Sequence, residues 1–405
     1  MLAELPAVFI LLGLVAYTVL AGADFGAGFW TLAAGRGRAG RAAARAHARH
    51  AMGPVWEANH VWLIFILVVC WTAYPIAFAS ITSTLAAPLL MAVIGIVLRG
   101  TSYAMRGQLG ARGVAAIENV FALSSMVTPF ALGTVVGALA TGRVPLGNAQ
   151  GNLVTSWLNP TSVLLGVLAV GTSGYLAAVY LAADANRAGQ RALELDFRSR
   201  ALRSGVVVGA VALASVVIVQ RDSAPFGTRL TEGGGLAMVV VSAVAGIGTV
   251  ALVQVGRFAP ARASAALAVA AIIAGWAVVQ QPWLLPGLTI TQAAADRATL
   301  IALVLAVGVG AIVLIPSLLL LFVLQLRGWF DPDSVGGVMS RRAGRGRTRG
   351  RPRPLKVGAS IAGLGLGAAL LVLTDSGLVH AVALAGLAVA GASMFVQAAT
   401  VPPEG

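Results

Sequence analysis

Apolar residues run through this chain in stretches of about 20, broken by short polar segments, and that length is what a helix needs to cross a hydrocarbon layer of roughly 30 Å. Backbone groups cannot go unpaired in lipid, so each crossing is expected to be a helix. Eleven such stretches can be marked, at about 6–23, 56–74, 76–98, 117–139, 160–183, 204–220, 236–255, 263–281, 300–326, 357–374 and 378–399. The pattern predicts an all-α fold, a polytopic transmembrane helix bundle. The opening Met1-Leu2-Ala3-Glu4 has no positive residues ahead of its apolar run, so the first stretch reads as a retained span, with Pro6 at a first helical position.

Composition agrees: 58% of the 405 residues are hydrophobic, 10% are charged and the mean hydropathy is +0.89, beyond what a soluble chain needs for its cores. A net charge of +14 raises the question of nucleic acid, but its distribution answers it. Of the 28 basic residues, 24 fall in loops after odd-numbered stretches and 4 (Arg143, Arg221, Arg229 and Arg297) in the opposite loops. This alternation is the positive-inside signal. It predicts an outer N-terminus and, after eleven crossings, a cytoplasmic C-terminus. One missed or invented span would reverse every later loop. Lipid is the expected surroundings and no nucleic-acid partner is expected.

Three regions follow. Residues 1–330 read as one membrane domain of nine spans, 331–356 as a basic cytoplasmic linker and 357–405 as a two-helix membrane extension. Within the linker, the Gly/Pro/Arg tract 341–354 cannot bury a core and reads as a solvated loop, with anionic headgroups as a second use. Glycines four apart at Gly22/Gly26, Gly133/Gly137 and Gly363/Gly367 predict close helix approach. Cys70 is the sole cysteine, which removes disulfides and Cys-ligated metal from the design.

Ionisable groups at membrane depth are costly, so function is sought among Asp24, Glu57, His60, Glu118, Asp375 and His380. Asp24 lies about 27 Å along the first span, near its cytoplasmic end, and Glu57 opens the second span from the same side. The two carboxylates are expected to approach one another beside Asn59 and His60, the latter sharing a helix face with Glu57. Two readings of Glu57 stay open: exchange of protons with the cytoplasm, or a headgroup-level pair with a basic residue such as Arg99. His60 and His380 lack a second axial partner and read as hydrogen-bonded helix contacts sooner than haem ligands. His47 and His50 are expected to be solvated, Glu118 to favour a helix N-terminus and Asp375 to sit in a turn. No phosphate loop, nucleophile elbow, HExxH or CxxC occurs, so no complete catalytic set is expected.

Three stretches resemble the second subunit of cytochrome bd ubiquinol oxidases. Ala21-Gly22-Ala23-Asp24-Phe25-Gly26-Ala27-Gly28 is similar to the family's D-G-F-D-x-G-x-G, and Leu98-Arg99-Gly100-Thr101-Ser102-Tyr103 to the arginine-bearing end of its third helix. The most specific is Pro54-Val55-Trp56-Glu57-Ala58-Asn59-His60-Val61-Trp62-Leu63-Ile64, similar to P-x-W-[DE]-x-N-x-V-W-L-I. The resemblance covers about residues 1–330. It implies a heterodimer in the bacterial inner membrane whose larger, haem-bearing subunit I carries two b-type haems and one haem d, oxidises a membrane quinol and reduces dioxygen to water. The subunit resembling this chain carries no haem, packs against the partner and lends part of a cytoplasmic proton route. Carried over by position, Glu57 takes the place of the acidic residue implicated in proton conduction, with Trp56, Asn59, Trp62 and Arg99 as motif neighbours and Asp24 and His60 beside the route. Ala21 stands where the family has its first Asp, and the last two spans have no family counterpart. A secondary transporter and a non-catalytic scaffold remain the competing classes.

Overall fold

A computed structural model describes residues 2–32, 38–51, 55–105 and 111–326. The predicted linker and the two predicted C-terminal spans lie outside the described residues, as do the side chains of Trp56 and Glu57. The chain divides into two units, Met1–Leu305 and Ala306–Gly405, and the bundle described here belongs to the first.

Helix follows helix: α1 Leu5–Leu32, α2 Arg38–Ala51, α3 Val55–Ala73, α4 Pro75–Thr84, α5 Ala86–Met105, α6 Ala111–Ala140 and α7 Pro160–Arg187. They continue as α8 Arg191–Asp222, α9 Ala224–Leu230, α10 Gly233–Gln254 and α11 Phe258–Gln280. A hairpin of β1 Trp283–Leu285 and β2 Leu288–Thr289 precedes α12 Ile290–Ala293 and α13 Arg297–Leu326, and is the non-helical exception to the all-α expectation. Eight helices (α1, α5, α6, α7, α8, α10, α11 and α13) are long and apolar enough to cross a membrane, and α3 adds a shorter apolar stretch, Asn59–Ala73.

The third predicted span needs correction. Hydropathy alone runs unbroken from 76 to 98, yet the helix breaks at Tyr74 and again at Leu85. Pro75 starts α4, and Pro88, which has no N–H, cannot donate to the carbonyl of Thr84, so the chain turns there. The membrane-length helix is α5, ten residues further on, while α4 joins α3 to α5 and rests on α12. Loop backbone pins α4 at the same end: Gly147 N–H donates to Ser80 Oγ (3.0 Å) and Ala149 N–H to Ser83 Oγ (2.9 Å).

Polar segments also hold order that hydropathy does not register. The first basic loop contains α2, whose Ala44 and Ala48, one turn apart, are buried against the bundle. His47 is not solvated as expected, since its Nε2 lies 3.0 Å from the Leu181 carbonyl oxygen and its ring packs on Phe197. Glu118 is two turns inside α6 instead of at a helix start, within 3.6 Å of Arg45 from α2. At the opposite end Arg143 pairs with Asp222 at 2.7 Å, and Thr161 donates to the same carboxylate at 2.6 Å, tying the loop before α7 to the end of α8. Asp296 caps α13 by accepting from the Thr299 N–H (2.9 Å) and hydroxyl (3.0 Å), and these bonds hold its carboxyl below the usual carboxylate range.

The centre of the unit is α1, which packs on α7 and α3, then on α6 and α11. Close approach is built in by glycine. A Cβ on Gly26 would lie 1.8 Å from the Ser173 carbonyl oxygen of α7, and one on Gly137 would lie 2.4 Å from Ser162 Cα. Small residues of this kind let backbones touch where lipid supplies no hydrophobic drive. Gly26→Leu is therefore expected to separate α1 from α7 and to lower the thermal midpoint of the purified protein, at a cost of about 1–3 kcal/mol or more. Gly40→Ala, in α2 with nothing within 4 Å of its new Cβ, is the control and should leave the midpoint unchanged or raise it slightly.

Candidate functional site

Helix periodicity brings Tyr17, Ala21, Asp24, Phe25 and Gly28 to one side of α1, at spacings of three, four and seven residues. This side is buried. Arg99 of α5 reaches it from across the bundle and is 1% exposed; its Nη2 lies 2.9 Å from Asp24 Oδ1. Nη2 also donates to the Asp24 carbonyl oxygen (3.1 Å) and Nη1 to Ser125 Oγ of α6 (2.5 Å). The guanidinium lies over two aromatic rings, Phe25 at 4.8 Å and Phe121 at 4.6 Å. Gly28 and Gly95 clear the way, because a Cβ on either would meet a hydroxyl oxygen, of Ser125 or of Thr128, at 2.2 Å.

One cation thus links three helices. An arginine is always charged and carries five donors in a fixed fork, so in an apolar bundle it needs an anion and further acceptors together. Asp24, its own carbonyl and Ser125 provide them. Phe25 and Phe121 add cation–π contact and keep the pair from water.

Next to this pair, α3 contributes Asn59 and His60. The His60 ring sits 6.1 Å from Tyr17 and 6.0 Å from Phe25, centroid to centroid, and Tyr17 lies 6.4 Å from Phe25 edge to face. Trp62 packs against the small apolar cluster of Tyr17, Ala21, Phe25 and Ile66. Tyr17 Oη and Asp24 Oδ2 are buried without a hydrogen-bond partner among the described residues, as is Asn59 Oδ1 on α3. In proteins such atoms are as a rule satisfied, so they mark a place where water or another polar group belongs.

The structure therefore brings Asp24 and Arg99 together, with the His60 ring beside Tyr17 and Phe25 and Asn59 buried next to it in sequence on α3. It revises one expectation, for Asp24 does not end its helix: α1 continues two turns to Leu32. Arg99 is buried within the bundle and pairs with Asp24. The Glu57 backbone lies in the first turn of α3, but its side chain is outside the described residues. Tyr17 was missed because one aromatic residue in an apolar span carries no periodic or charge signal. Its seven-residue spacing from Asp24 was the available clue. Among the described residues no three His, Cys, Asp or Glu side chains converge in a way that would hold a metal ion.

These features define a polytopic α-helical membrane protein with a charged, polar site inside its bundle. The family model for cytochrome bd terminal oxidase subunit II matches residues 2–325, and the chain belongs to that family. A curated relative, cytochrome bd ubiquinol oxidase subunit 2 of Bacillus subtilis (strain 168), is 29% identical over 157 residues; the match covers 38% of this chain and about half, 45%, of that protein. A chain in the structure of the bd oxidase from Geobacillus thermodenitrificans superposes with a TM-score of 0.66 at 26% identity. It covers 80% of this chain and 98% of its own length.

Removing one member of the buried pair strands the other. Asp24→Leu or Arg99→Met alone should each cost about 3–5 kcal/mol, whereas the double change to apolar residues should cost less than either. Thermal denaturation of the four proteins measures the coupling, and strictly additive losses would show that the pair does not act as a unit.

Proposed function

We propose that this chain serves as the second subunit of a cytochrome bd-type quinol oxidase, carrying no haem itself. On this reading it packs against a haem-bearing first subunit in the cytoplasmic membrane and lends that subunit part of a proton route from the cytoplasm. The partner would hold haem b and haem d, oxidise the membrane quinol and reduce dioxygen to water. Family membership supports the pairing. The supply of basic loops, 24 residues to 4, supports a bundle with its N-terminus outside and its predicted C-terminus in the cytoplasm.

The observation that carries the proton-route part is the polar cluster beside Asp24. A bundle whose only task is packing has no use for a buried ion pair with unsatisfied polar atoms on Asp24 and Tyr17. Division of labour within the cluster follows from its chemistry. Arg99 cannot release its proton, so the Asp24–Arg99 pair acts as a fixed field and a tether. Glu57, on the first turn of α3, is the group that exchanges protons with the cytoplasm. Asn59 and His60, one turn further along the same helix, relay them inward through bound water. Trp56 and Trp62 are the motif neighbours of that route in sequence.

Glu57→Ala in the purified two-subunit complex is expected to lower quinol-oxidase turnover by about tenfold or more while leaving the visible haem bands intact. Unchanged turnover would remove Glu57 from the route. Orientation has its own check. In a Cys70→Ala background, Ser340→Cys should react with an impermeant maleimide in inverted membrane vesicles and not in intact spheroplasts; labelling from outside would overturn the assigned sidedness.

A further inference from the structure

Tyr17 has no place in the family pattern quoted above, yet its position is specific. It is 6% exposed, stands one turn before Ala21 on the same face of α1, and its hydroxyl has no partner among the described residues. Ala21 is fully buried and fills the position where the resembling family carries its first acidic residue. A carboxylate missing from a proton route has to be compensated, or the route is interrupted there. The neighbours of Tyr17 supply what compensation requires: the His60 ring 6.1 Å away and, within electrostatic reach, Asp24 and Arg99. Asp24 Oδ2 and, on α3 next to His60 in sequence, Asn59 Oδ1 are buried acceptors without a partner among the described residues.

We propose that the Tyr17 hydroxyl, with Asn59 and Asp24, binds a short chain of water molecules that stands in for the carboxylate absent at Ala21. Two acceptors and one phenol that both gives and takes a hydrogen bond form the kind of polar lining that buried water needs, namely two to four partners each. The phenol is not consumed. Tyr17 accepts a hydrogen bond from one water and donates its O–H to the next, so a proton arriving on one side is matched by one leaving on the other. This places the polar step of the route on an uncharged residue, which suits a site already occupied by a permanent guanidinium. The ring also packs in the cluster with Ala21, Phe25 and Ile66, so hydroxyl and packing are separable by substitution.

The inference rests on the proton-route reading, and one set of measurements separates the two. Tyr17→Phe removes the hydroxyl and keeps the ring. In the purified two-subunit complex it should lower turnover by about tenfold with the haem bands unchanged, and should raise the solvent deuterium isotope effect. Adding Ala21→Asp, or Ala21→Ser where the larger residue disturbs assembly as judged by the haem bands, should recover turnover to within about twofold of the parent. Wild-type turnover in Tyr17→Phe, or a loss that neither Ala21 substitution recovers, overturns the proposal; the second result would mean that the hydroxyl has a task other than standing in for a carboxylate at position 21. If Glu57→Ala in the same preparation is also silent, the proton-route reading fails with it, whereas a defective Glu57→Ala beside a silent Tyr17→Phe leaves that reading standing and removes Tyr17 alone.

Discussion

A guanidinium inside a lipid-embedded bundle is tolerable only with an anion beside it and its remaining donors occupied, and the arrangement around Arg99 is the solution to that constraint. Asp24 supplies the anion, its own carbonyl and Ser125 take further donors, and two phenylalanine faces close the site. The cost of desolvating both charges is large, so attraction between them is poor evidence for net stability. What the pair supplies is registration. It ties α5 to α1 through a side chain, where the two helices have little direct backbone contact, and it holds α6 to both through Ser125.

Much of the architecture could be read from hydropathy because membrane crossings are long and chemically uniform. The misplacement at 76–98 has an identifiable origin. Ser80, Thr82 and Ser83 before Leu85 return their hydroxyls to carbonyls of their own helix and do not interrupt the apolar average, so the missing N–H of Pro88 is the sharper record of the turn. The docked helix α2 escaped for the opposite reason: its face is made of alanine, which contributes little to any hydropathy window, and its arginines dominate the composition. Distances across the bundle were beyond sequence reasoning altogether. Nothing in the spacing of Asp24 and Arg99, 75 positions apart, states that they meet.

The candidate site was legible to the extent that its members are polar residues in apolar surroundings, which singled out Asp24 and His60, and to the extent that a motif fixed their neighbours. Tyr17 was not legible, since an aromatic ring in an apolar span resembles any core residue until its hydroxyl is seen to lack a partner. The same limitation applied to His47, whose basic surroundings suggested water where the backbone of α7 provides an acceptor.

The seam at Gly26 bears on the competing class of secondary transporters. Alternating access works by moving one group of helices against another, and the joint that moves must slide or part with little penalty. Backbone seated on backbone at Gly26, between α1 and α7, and at Gly137, between α6 and α7, with a charged peg joining α5 to α1, offers no such joint among these helices: displacement there would break contacts that no side-chain rearrangement restores. A stationary framework of this kind suits cargo as small as a hydrogen ion, which hops between fixed stations and asks nothing of the helices except that they stay in place.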